Sequence, residues 1–383
     1  MSIGAGLGQG STDAGRVGDR AIDSVKIGVG IIGGGFMATV HSRAARAARG
    51  RLVGIVSSSA ARSEAAADTL GIETGYASID ELLADDAIDV VHVCTPNALH
   101  AAQARAALAA GKHVICEKPL ATSVPDAAAL VEQAASASLV GTVPFVYRFH
   151  PLVREARARV QAGELGRLLS IHGSYLQDWL LSAGDDNWRV DSAAGGRSRA
   201  FADIGSHLVD LTEFITGDRI TRVSATTRTF FDARASHSQI TTEDAAAVVV
   251  ETAGGALGTL LVSQVAPGRK NRLYLEIAGA ESSLGFDQEQ PETLWVGRRA
   301  GSQVIPRDAE QLAPDAARLS VVPAGHPQGY QDAFNAFVAD TYAAIGGATP
   351  DGLPRFEDGL RAARITEAVL DSAERGSWVA LPE

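Results

Sequence analysis

Residues 25–41 read VKIGVGIIGGGFMATVH, and this stretch decides how the rest of the chain is interpreted. The apolar run before the glycines is typical of a buried β-strand, and the residues after them have the spacing of an amphipathic helix. Gly33, Gly35 and Ala38 form a G-x-G-x-x-A signature. There the first glycine permits a tight turn, the second lets backbone approach a pyrophosphate, and the small third residue allows close helix packing. The segment therefore predicts a dinucleotide-binding turn.

Strands and helices alternate in the first part of the chain. Strands are predicted at residues 25–32, 52–56, 90–94, 113–116 and 139–143. Helices are predicted at residues 36–48, 60–70, 79–83, 98–110 and 124–137. Strands joined by crossover helices at this spacing form a parallel sheet with helices on both faces. The sequence therefore predicts an α/β domain of the Rossmann type, with a doubly wound parallel sheet, over residues 25–150.

Beyond residue 150 the strands follow one another more directly. Strands are predicted at residues 168–176, 222–231, 245–252, 256–263, 273–278 and 283–286. Helices are predicted at residues 151–162, 206–215, 331–345 and 356–375. Short Gly or Pro turns between neighbouring strands, such as Gly254-Gly255, favour an antiparallel sheet. The sequence predicts an α+β C-terminal domain over residues 151–383 with a large, open-faced, mainly antiparallel sheet.

Composition and charge exclude several classes of function. The 383 residues are 46% hydrophobic and 21% charged, and no apolar run approaches the ~20 residues that span a bilayer, so no membrane partner is expected. The formal net charge of −11 argues against a nucleic-acid partner. Cys94 and Cys116 are too few for a disulfide scaffold or a zinc ribbon, so we expect reduced thiols, a cytoplasmic protein and no metal site. Residues 1–24 are rich in Gly, Ser and Asp and lack an apolar signal core, which predicts a disordered extension.

The residue after the second predicted strand bears on the choice between NAD and NADP. An acidic residue at that position would hold the ribose 2′-hydroxyl of NAD, but here the strand runs into Ser57. No carboxylate stands there to repel a 2′-phosphate, and Arg62 could pair with one. The alternative is that Arg62 is a solvated helix residue. The pattern favours NADP slightly and leaves the choice open.

Three further motifs carry a resemblance to a known family. They are Thr95-Pro96-Asn97-Ala98-Leu99-His100, Glu117-Lys118-Pro119 and Ala202-Asp203-Ile204-Gly205-Ser206-His207-Leu208-Val209-Asp210. With the glycine turn, this ordered set resembles the Gfo/Idh/MocA oxidoreductases, the family named for glucose–fructose oxidoreductase and inositol 2-dehydrogenase. The resemblance extends from about residue 25 to the C-terminus. Residues 175–179 and 377–379 are most similar to the levoglucosan dehydrogenase branch, which oxidises a sugar C3 hydroxyl.

The resemblance implies an NAD(P)-dependent enzyme that interconverts a secondary hydroxyl and a ketone on a sugar, glycoside or cyclic polyol. Its catalytic set carries over as Lys118, Asp203 and His207. Histidine, with an unperturbed pKa of ~6.5, is suited to accept the hydroxyl proton, so the oxidation rate should rise with pH near neutrality. Asp203 lies four residues before His207, so both would share a helix face and the carboxylate would orient the imidazole. Lys118 would stabilise charge on the reacting oxygen.

The other candidate site residues fall into two groups. The cofactor-binding candidates are Gly33, Gly35, Phe36, Met37, Ser57, Arg62, Thr95, Pro96, Asn97, His100, Glu117 and Lys118. The substrate-binding candidates are Tyr147, Arg148, Gln177, Trp179, Asp203 and His207. These combine hydrogen-bonding groups with aromatic faces, which a sugar site needs. Trp188 and Arg189 could form a lid.

Two other functions remain open at this stage. A glycosidase can use bound NAD for transient C3 oxidation followed by elimination, and a non-catalytic sugar sensor exists among proteins that resemble this family. The complete Lys–Asp–His set counts against a sensor. Family members commonly assemble through the exposed sheet face, so a homodimer or homotetramer is expected, with the C-terminal domain serving both substrate binding and oligomerisation.

Overall fold

The computed structural model describes residues 27–382, and the predicted extension at residues 1–24 lies outside them. The first sheet has six parallel strands in the order β3-β2-β1-β4-β5-β6. The strands are β1 Gly28–Ile32, β2 Arg51–Val56, β3 Thr74–Tyr76, β4 Val90–Val93, β5 His113–Cys116 and β6 Gly141–Thr142. The helices between them are α1 Phe36–Ala47, α2 Ala60–Leu70, α3 Ile79–Leu83, α4 Asn97–Ala109 and α5 Val124–Ser136. The predicted doubly wound sheet is confirmed.

The second sheet has nine strands in the order β14-β13-β12-β11-β7-β10-β9-β8-β15. Its strands are β7 Leu168–Leu176, β8 Ile220–Arg228, β9 Ala245–Thr252, β10 Leu257–Ser263, β11 Arg272–Gly279, β12 Ser283–Asp287, β13 Thr293–Arg298, β14 Gly301–Pro306 and β15 Val379–Ala380. The remaining helices are α6 Pro151–Gln161, α7 Ser192–Gly195, α8 Ser206–Thr216, α9 Pro314–Ala317, α10 Tyr330–Ile345 and α11 Phe356–Arg375. Neighbouring strands are antiparallel except β7 and β10, which pair parallel. The mainly antiparallel sheet is therefore confirmed, although β13 and β14 were not predicted.

Two helices near the end of the chain return to the first sheet. Phe334 and Phe337 of α10 join the apolar core on the face that α1 also covers. Phe356 at the start of α11 joins the core on the opposite face, beside α4 and α5. Farther along α11, Ile365 packs into the core of the second sheet. The division predicted at residue 150 stays a prediction, but α10 packs on the first sheet and α11 packs against both sheets.

The open side of the second sheet and the end of the first are the surfaces that matter for function. Leu257 and Leu261 project from β10 to the open side and are 52% and 44% exposed. The strand order of the first sheet reverses between β1 and β4, and ligands of such sheets bind where the strands end beside that point. Within residues 27–382, no helix has the length and apolar character needed to cross a membrane.

Candidate active site

A groove, here called the glycine groove, lies over the turn between β1 and α1 and has a volume of about 700 Å³. Gly33 has φ 108°, and a Cβ there would lie 2.7 Å from the carbonyl oxygen of Cys94. The space beside Gly35 is open, and α1 begins without a side-chain cap or an acidic residue in its first turn. The uncapped helix start favours an anion such as a pyrophosphate. The groove therefore fits a dinucleotide, and Phe36 and Met37 also line it.

The residues predicted to select the dinucleotide lie at one end of the glycine groove. Ser57 and Ser58 line it, directly after β2. Arg62 does not line the groove; it is exposed on α2, and its Nη1 donates to Oγ of Ser58 at 3.0 Å. Arg62 is therefore held beside the groove through Ser58 rather than inside it.

The residues of the Thr95–His100 motif fall into two groups: some line the glycine groove, and others are buried and bond to backbone. Thr95 and Pro96 line the glycine groove. Asn97 is buried, and its Nδ2 donates to the carbonyl oxygen of Gly195 at 3.0 Å. His100 is buried, with its two ring nitrogens 2.8 Å from the carbonyl oxygens of Pro119 and Thr95. Neither residue lines the glycine groove, and the expectation that Asn97 and His100 contact the cofactor stays a prediction.

A second space, here called the inner cleft, adjoins the glycine groove and has a volume of about 340 Å³. Phe36 and Met37 line both spaces, so the two adjoin at the start of α1. The inner cleft also brings together the catalytic candidates Lys118, Asp203 and His207, together with Glu117, Tyr147 and Gln177. Lys118 enters it from the loop that directly follows β5, which ends at Cys116.

Asp203 binds Lys118 rather than His207. Lys118 Nζ donates to Oδ1 of Asp203 at 2.6 Å and to its carbonyl oxygen at 2.9 Å. Gln264 Nε2 donates to Oδ2 at 2.8 Å. Burial would raise the pKa of Asp203, but the charges of Lys118 and Arg189 outweigh burial and lower that pKa to about 2. Asp203 is therefore an anion that fixes the ammonium group of Lys118.

His207 is a buried, neutral imidazole on the first turn of α8. Among residues 27–382 its Nδ1 has no hydrogen-bond partner, so the predicted contact with Asp203 does not form. The cause is the π-helical turn at Phe201–Gly205, which carries Asp203 toward Lys118 before α8 begins. Burial first, and then the charge of Lys118, lower the pKa of His207 to about 3. His207 can therefore accept a proton at any pH above this value.

Three side chains form a closed hydrogen-bond ring along one wall of the inner cleft. Tyr175 donates to Oδ1 of Asn271 at 2.8 Å, and Asn271 Nδ2 donates to the hydroxyl of Tyr147 at 3.1 Å. Because the Tyr175 hydrogen is used on Asn271, Tyr147 is the donor in the bond between the two hydroxyls. Tyr147 also meets the ring of His207 edge-on, with centroids 5.0 Å apart. The ring thus gives this wall a fixed shape beside His207.

Gln177 and Trp179 occupy different positions relative to that wall. Gln177 lines the inner cleft, and its Nε2 donates to Oδ1 of Asn271 at 2.8 Å. Trp179 does not line it; its indole N–H donates to Oε1 of Gln177 at 2.7 Å, and its ring packs with Leu180 and Val190. The predicted direct role of Trp179 is corrected to support of Gln177.

Arg148 does not face the inner cleft. Its guanidinium is buried and forms ion pairs with Asp210 and, at 2.8 Å, with Asp358. It also lies over the ring of Phe214 at 4.9 Å. The prediction that Arg148 binds substrate is wrong. Asp210 of α8 and Asp358 of α11 hold its guanidinium outside the inner cleft.

The loop before α7 closes the junction of the two spaces. Arg189 lines both the glycine groove and the inner cleft, and Trp188 lines the groove. The guanidinium of Arg189 stacks on Trp188 at 4.5 Å, and its Nε lies 3.7 Å from Oδ1 of Asp203. Both residues therefore border the junction of the two spaces, and a lid formed by them stays a prediction.

Sequence reasoning missed Gln264 and Asn271. Gln264 follows β10 and reaches the site because β10 pairs parallel with β7, so both strands end at the same edge of the sheet. Asn271 precedes β11, whose Arg272 pairs with Leu176, and it therefore lies beside Gln177. A polar residue directly before or after a strand is a weak signal for a site residue. Only the strand pairing shows which of these residues lie near the catalytic candidates.

Comparison with known proteins gives two family matches. Residues 27–145 match the model described as "Oxidoreductase family, NAD-binding Rossmann fold". Residues 153–285 match the model described as "GFO/IDH/MocA C-terminal domain". The two matches together cover more than half of the chain and include the glycine turn, Lys118, Asp203 and His207.

Individual relatives support the same assignment. The chain is 32% identical to levoglucosan dehydrogenase from Pseudarthrobacter phenanthrenivorans, over 93% of this chain and 98% of that protein. It is 38% identical to D-xylose 1-dehydrogenase (NADP(+)) 2 from Haloferax volcanii, over 48% of this chain and 56% of that one. A solved structure of levoglucosan dehydrogenase in complex with NADH and L-sorbose superposes with a TM-score of 0.88 at 30% identity, over 94% and 99% of the two chains. One relative is thus named for NADP, and one structure contains NADH.

Proposed function

The chain belongs to the GFO/IDH/MocA oxidoreductase family, and from this premise we propose that it oxidises a secondary hydroxyl of a sugar, glycoside or cyclic polyol to a ketone. The observation that carries the proposal is the arrangement of Lys118, Asp203 and His207 in the inner cleft, which adjoins the glycine groove. NAD(P), when bound, accepts the hydride that leaves the carbinol carbon. The protein's own residues must then bind the hydroxyl and take its proton.

Lys118 is the group suited to hold the reacting oxygen. An ammonium group has three N–H donors, and Asp203 accepts from Nζ through its carboxylate and its carbonyl oxygen. One donor remains for a substrate. The ammonium group of Lys118, fixed by the ionised Asp203, would stabilise the negative charge that develops on the oxygen as the proton leaves.

His207 is the group suited to accept the hydroxyl proton. It is neutral and borders the same cleft as Lys118, whereas Asp203 is held as an anion by its bond with Lys118. A base with a pKa of about 3 is weak, so it takes the proton only when the hydroxyl becomes acidic. That happens as the hydride leaves the carbon, which couples the two transfers.

The wall made by Tyr147, Tyr175, Asn271 and Gln177 is proposed to bind the rest of the sugar. Aromatic rings offer a face to C–H bonds, and amide groups both donate and accept hydrogen bonds with hydroxyls. The structure of levoglucosan dehydrogenase with L-sorbose shows that a protein of this fold binds a sugar. We propose the sugar C3 hydroxyl as the reacting group. This choice is supported only by the resemblance to the levoglucosan dehydrogenase branch.

The finer proposals concern cofactor, assembly and location. Ser57 in the glycine groove, with no acidic side chain in its place, supports use of NADP as well as NAD. The exposed Leu257 and Leu261 on the open side of the second sheet support pairing with a second copy, as a homodimer or homotetramer. Buried thiols at Cys94 and Cys116 support a cytoplasmic location.

A substrate panel tests the proposed function. Sugars, cyclic polyols and glycosides are incubated with the enzyme and with NAD+ or NADP+ separately, and reduced nicotinamide is followed by absorbance. Oxidation of at least one compound, lost in Lys118→Met and His207→Ala, supports the proposal. Release of the aglycone from a glycoside without net nicotinamide reduction would favour the glycosidase instead. Binding of cofactor and sugar with neither reaction would favour a sensor.

A further inference from the structure

Four buried polar side chains form a continuous line from α10 to the inner cleft. The Tyr342 hydroxyl lies 3.0 Å from Nε2 of His92, and Nδ1 of His92 lies 2.9 Å from Nδ1 of His41. Nε2 of His41 lies 3.1 Å from Oε1 of Glu117. The other oxygen of Glu117 accepts the backbone N–H of Lys118 at 3.1 Å. We call Tyr342, His92 and His41 the buried relay.

The direction of the hydrogen bond to Glu117 follows from the charge of its carboxylate. Burial would raise the pKa of Glu117, but the hydrogen bond from His41 and the charge of Lys118 outweigh burial, and the pKa lies below its usual value. A carboxylate only accepts, so His41 donates to it through Nε2–H. Glu117 is therefore held on one oxygen by a buried imidazole and on the other by the backbone N–H of Lys118.

Packing alone does not account for such a line. His41 and His92 have no exposed surface, and Glu117 and Tyr342 are 6% exposed each. They lie in the apolar core that α1 and α10 share, with the Phe334 ring edge-on to His41 at 4.7 Å. Apolar side chains would fill this space without the desolvation cost of four polar groups. The one member that reaches a functional space is Glu117, which lines the inner cleft.

We propose that Tyr342, His92 and His41 are positioning residues that fix the Glu117 carboxylate in the inner cleft, where its charge favours oxidised over reduced nicotinamide. The inference rests on the proposed use of a nicotinamide cofactor. The oxidised ring carries a positive charge and the reduced ring is neutral, so a fixed carboxylate nearby stabilises the oxidised form selectively. A carboxylate free to turn toward water would lose much of that preference.

Cofactor titration without any sugar tests the proposal. Dissociation constants of the oxidised and the reduced cofactor are measured for each variant, by calorimetry and by nicotinamide fluorescence. Glu117→Gln keeps the shape and removes the charge, and it should lower the preference for the oxidised form by roughly three- to tenfold. His41→Leu should do nearly the same, whereas His41→Gln keeps an N–H for Glu117 and should restore much of the preference. Tyr342→Phe, which removes only the terminal hydroxyl, should give a smaller change in the same direction.

Thr341→Val is the matched control. Thr341 neighbours Tyr342 on α10 and bonds the hydroxyl of Thr142 at 3.3 Å, so its replacement removes a buried hydrogen bond from the same helix without touching the relay. It should lower the melting temperature without changing the affinity ratio. The proposal is overturned if Glu117→Gln leaves the ratio unchanged, or if the ratio stays at the wild-type value in both His41→Leu and Tyr342→Phe. Failure of the proposed function has a different signature, since the wild type would then bind neither cofactor or oxidise no compound of the panel.

Discussion

Gln264 donates through Nε2 to Oδ2 of Asp203 at 2.8 Å, on the carboxylate oxygen that Lys118 leaves free. The carboxylate is therefore held at both oxygens and cannot rotate without breaking one bond. Since Asp203 in turn fixes Lys118, Gln264 acts on the ammonium group through the carboxylate between them.

The first prediction concerns Gln264. In Gln264→Leu, Asp203 loses one anchor, and we expect kcat to fall by roughly tenfold, less than the ~10²–10³ for a donor that contacts the reacting oxygen itself. Binding of the cofactor should not change. Gln264→Glu is the companion variant, because a second carboxylate would raise the pKa of Asp203 and add an acidic inflection to the rate profile. Wild-type kcat in Gln264→Leu would show that Asp203 needs no such anchor.

The second prediction concerns Lys118. Lys118→Met keeps the length of the side chain but removes the charge, and kcat should fall by ~10²–10³ because the lost interaction forms mainly in the transition state. KM for the sugar should change less than kcat. Steady-state kinetics on the best compound of the panel measures both. If instead KM rose by this factor while kcat stayed the same, Lys118 would contribute to binding of the substrate rather than to the transition state.

The third prediction concerns His207 and pH. His207→Ala should lower kcat by ~10²–10⁴ while the cofactor still binds. Because burial lowers the pKa of His207 to about 3, the base is already deprotonated at neutral pH. We therefore expect kcat/KM for oxidation to be flat between about pH 5 and 8, which corrects the rise near neutrality that an unperturbed histidine predicts. An inflection near pH 6.5 that disappears in His207→Ala would contradict the buried, neutral state.

The fourth prediction concerns the choice of dinucleotide. Ser57→Asp adds a partner for a ribose 2′-hydroxyl and repels a 2′-phosphate, so the ratio of kcat/KM for NAD over NADP should rise by at least about tenfold. Arg62→Ala is the comparison, and it should change the ratio less because Arg62 lies outside the glycine groove. An unchanged ratio in Ser57→Asp would place the adenosine ribose away from Ser57.

The fifth prediction concerns stability in acid. Burial lowers the pKa of His150 to about 4, so between about pH 6.5 and 4 the unfolded chain binds a proton that the folded chain does not. The free energy of unfolding therefore falls as pH falls through this window, by up to about 3 kcal/mol for this residue. His150→Phe keeps the stack on Tyr147 and removes the titration. Between pH 7 and pH 5, the melting temperature of this variant should therefore decline less than that of the wild type.

Local patterns predicted the first sheet well. Strands β1 and β4 are buried along their whole length, and β2 and β5 are buried after their first residue. The helices after β2 and β5 begin with the serine caps Ser59 and Ser123. Strand β3 escaped prediction because it has three residues and no fully buried side chain. Strand β14 escaped because it is exposed along almost its whole length, which leaves no alternation to detect.

The site was predictable only where a residue's position follows from its own strand. Lys118 follows β5, and the end of a parallel strand is where a ligand binds. Arg148 was misplaced because its partners Asp210 and Asp358 lie 62 and 210 residues away. Gln264 was missed because no pattern shows that β7 and β10 pair parallel, and Asn271 was missed because none shows that β11 pairs with β7. Contacts of this kind depend on tertiary pairing, which periodicity does not encode.

The return of α10 to the first sheet makes the nucleotide-binding half discontinuous in the chain. Val29 and Ile31 of β1 share a core with Phe334 and Phe337, so a fragment that ends at residue 150 would expose an apolar face and should aggregate. Most of the second sheet is thus an insert between two parts of one folding unit. Anyone dividing this protein for expression, labelling or domain exchange would have to carry both α10 and α11 with the first 150 residues, or keep the chain whole.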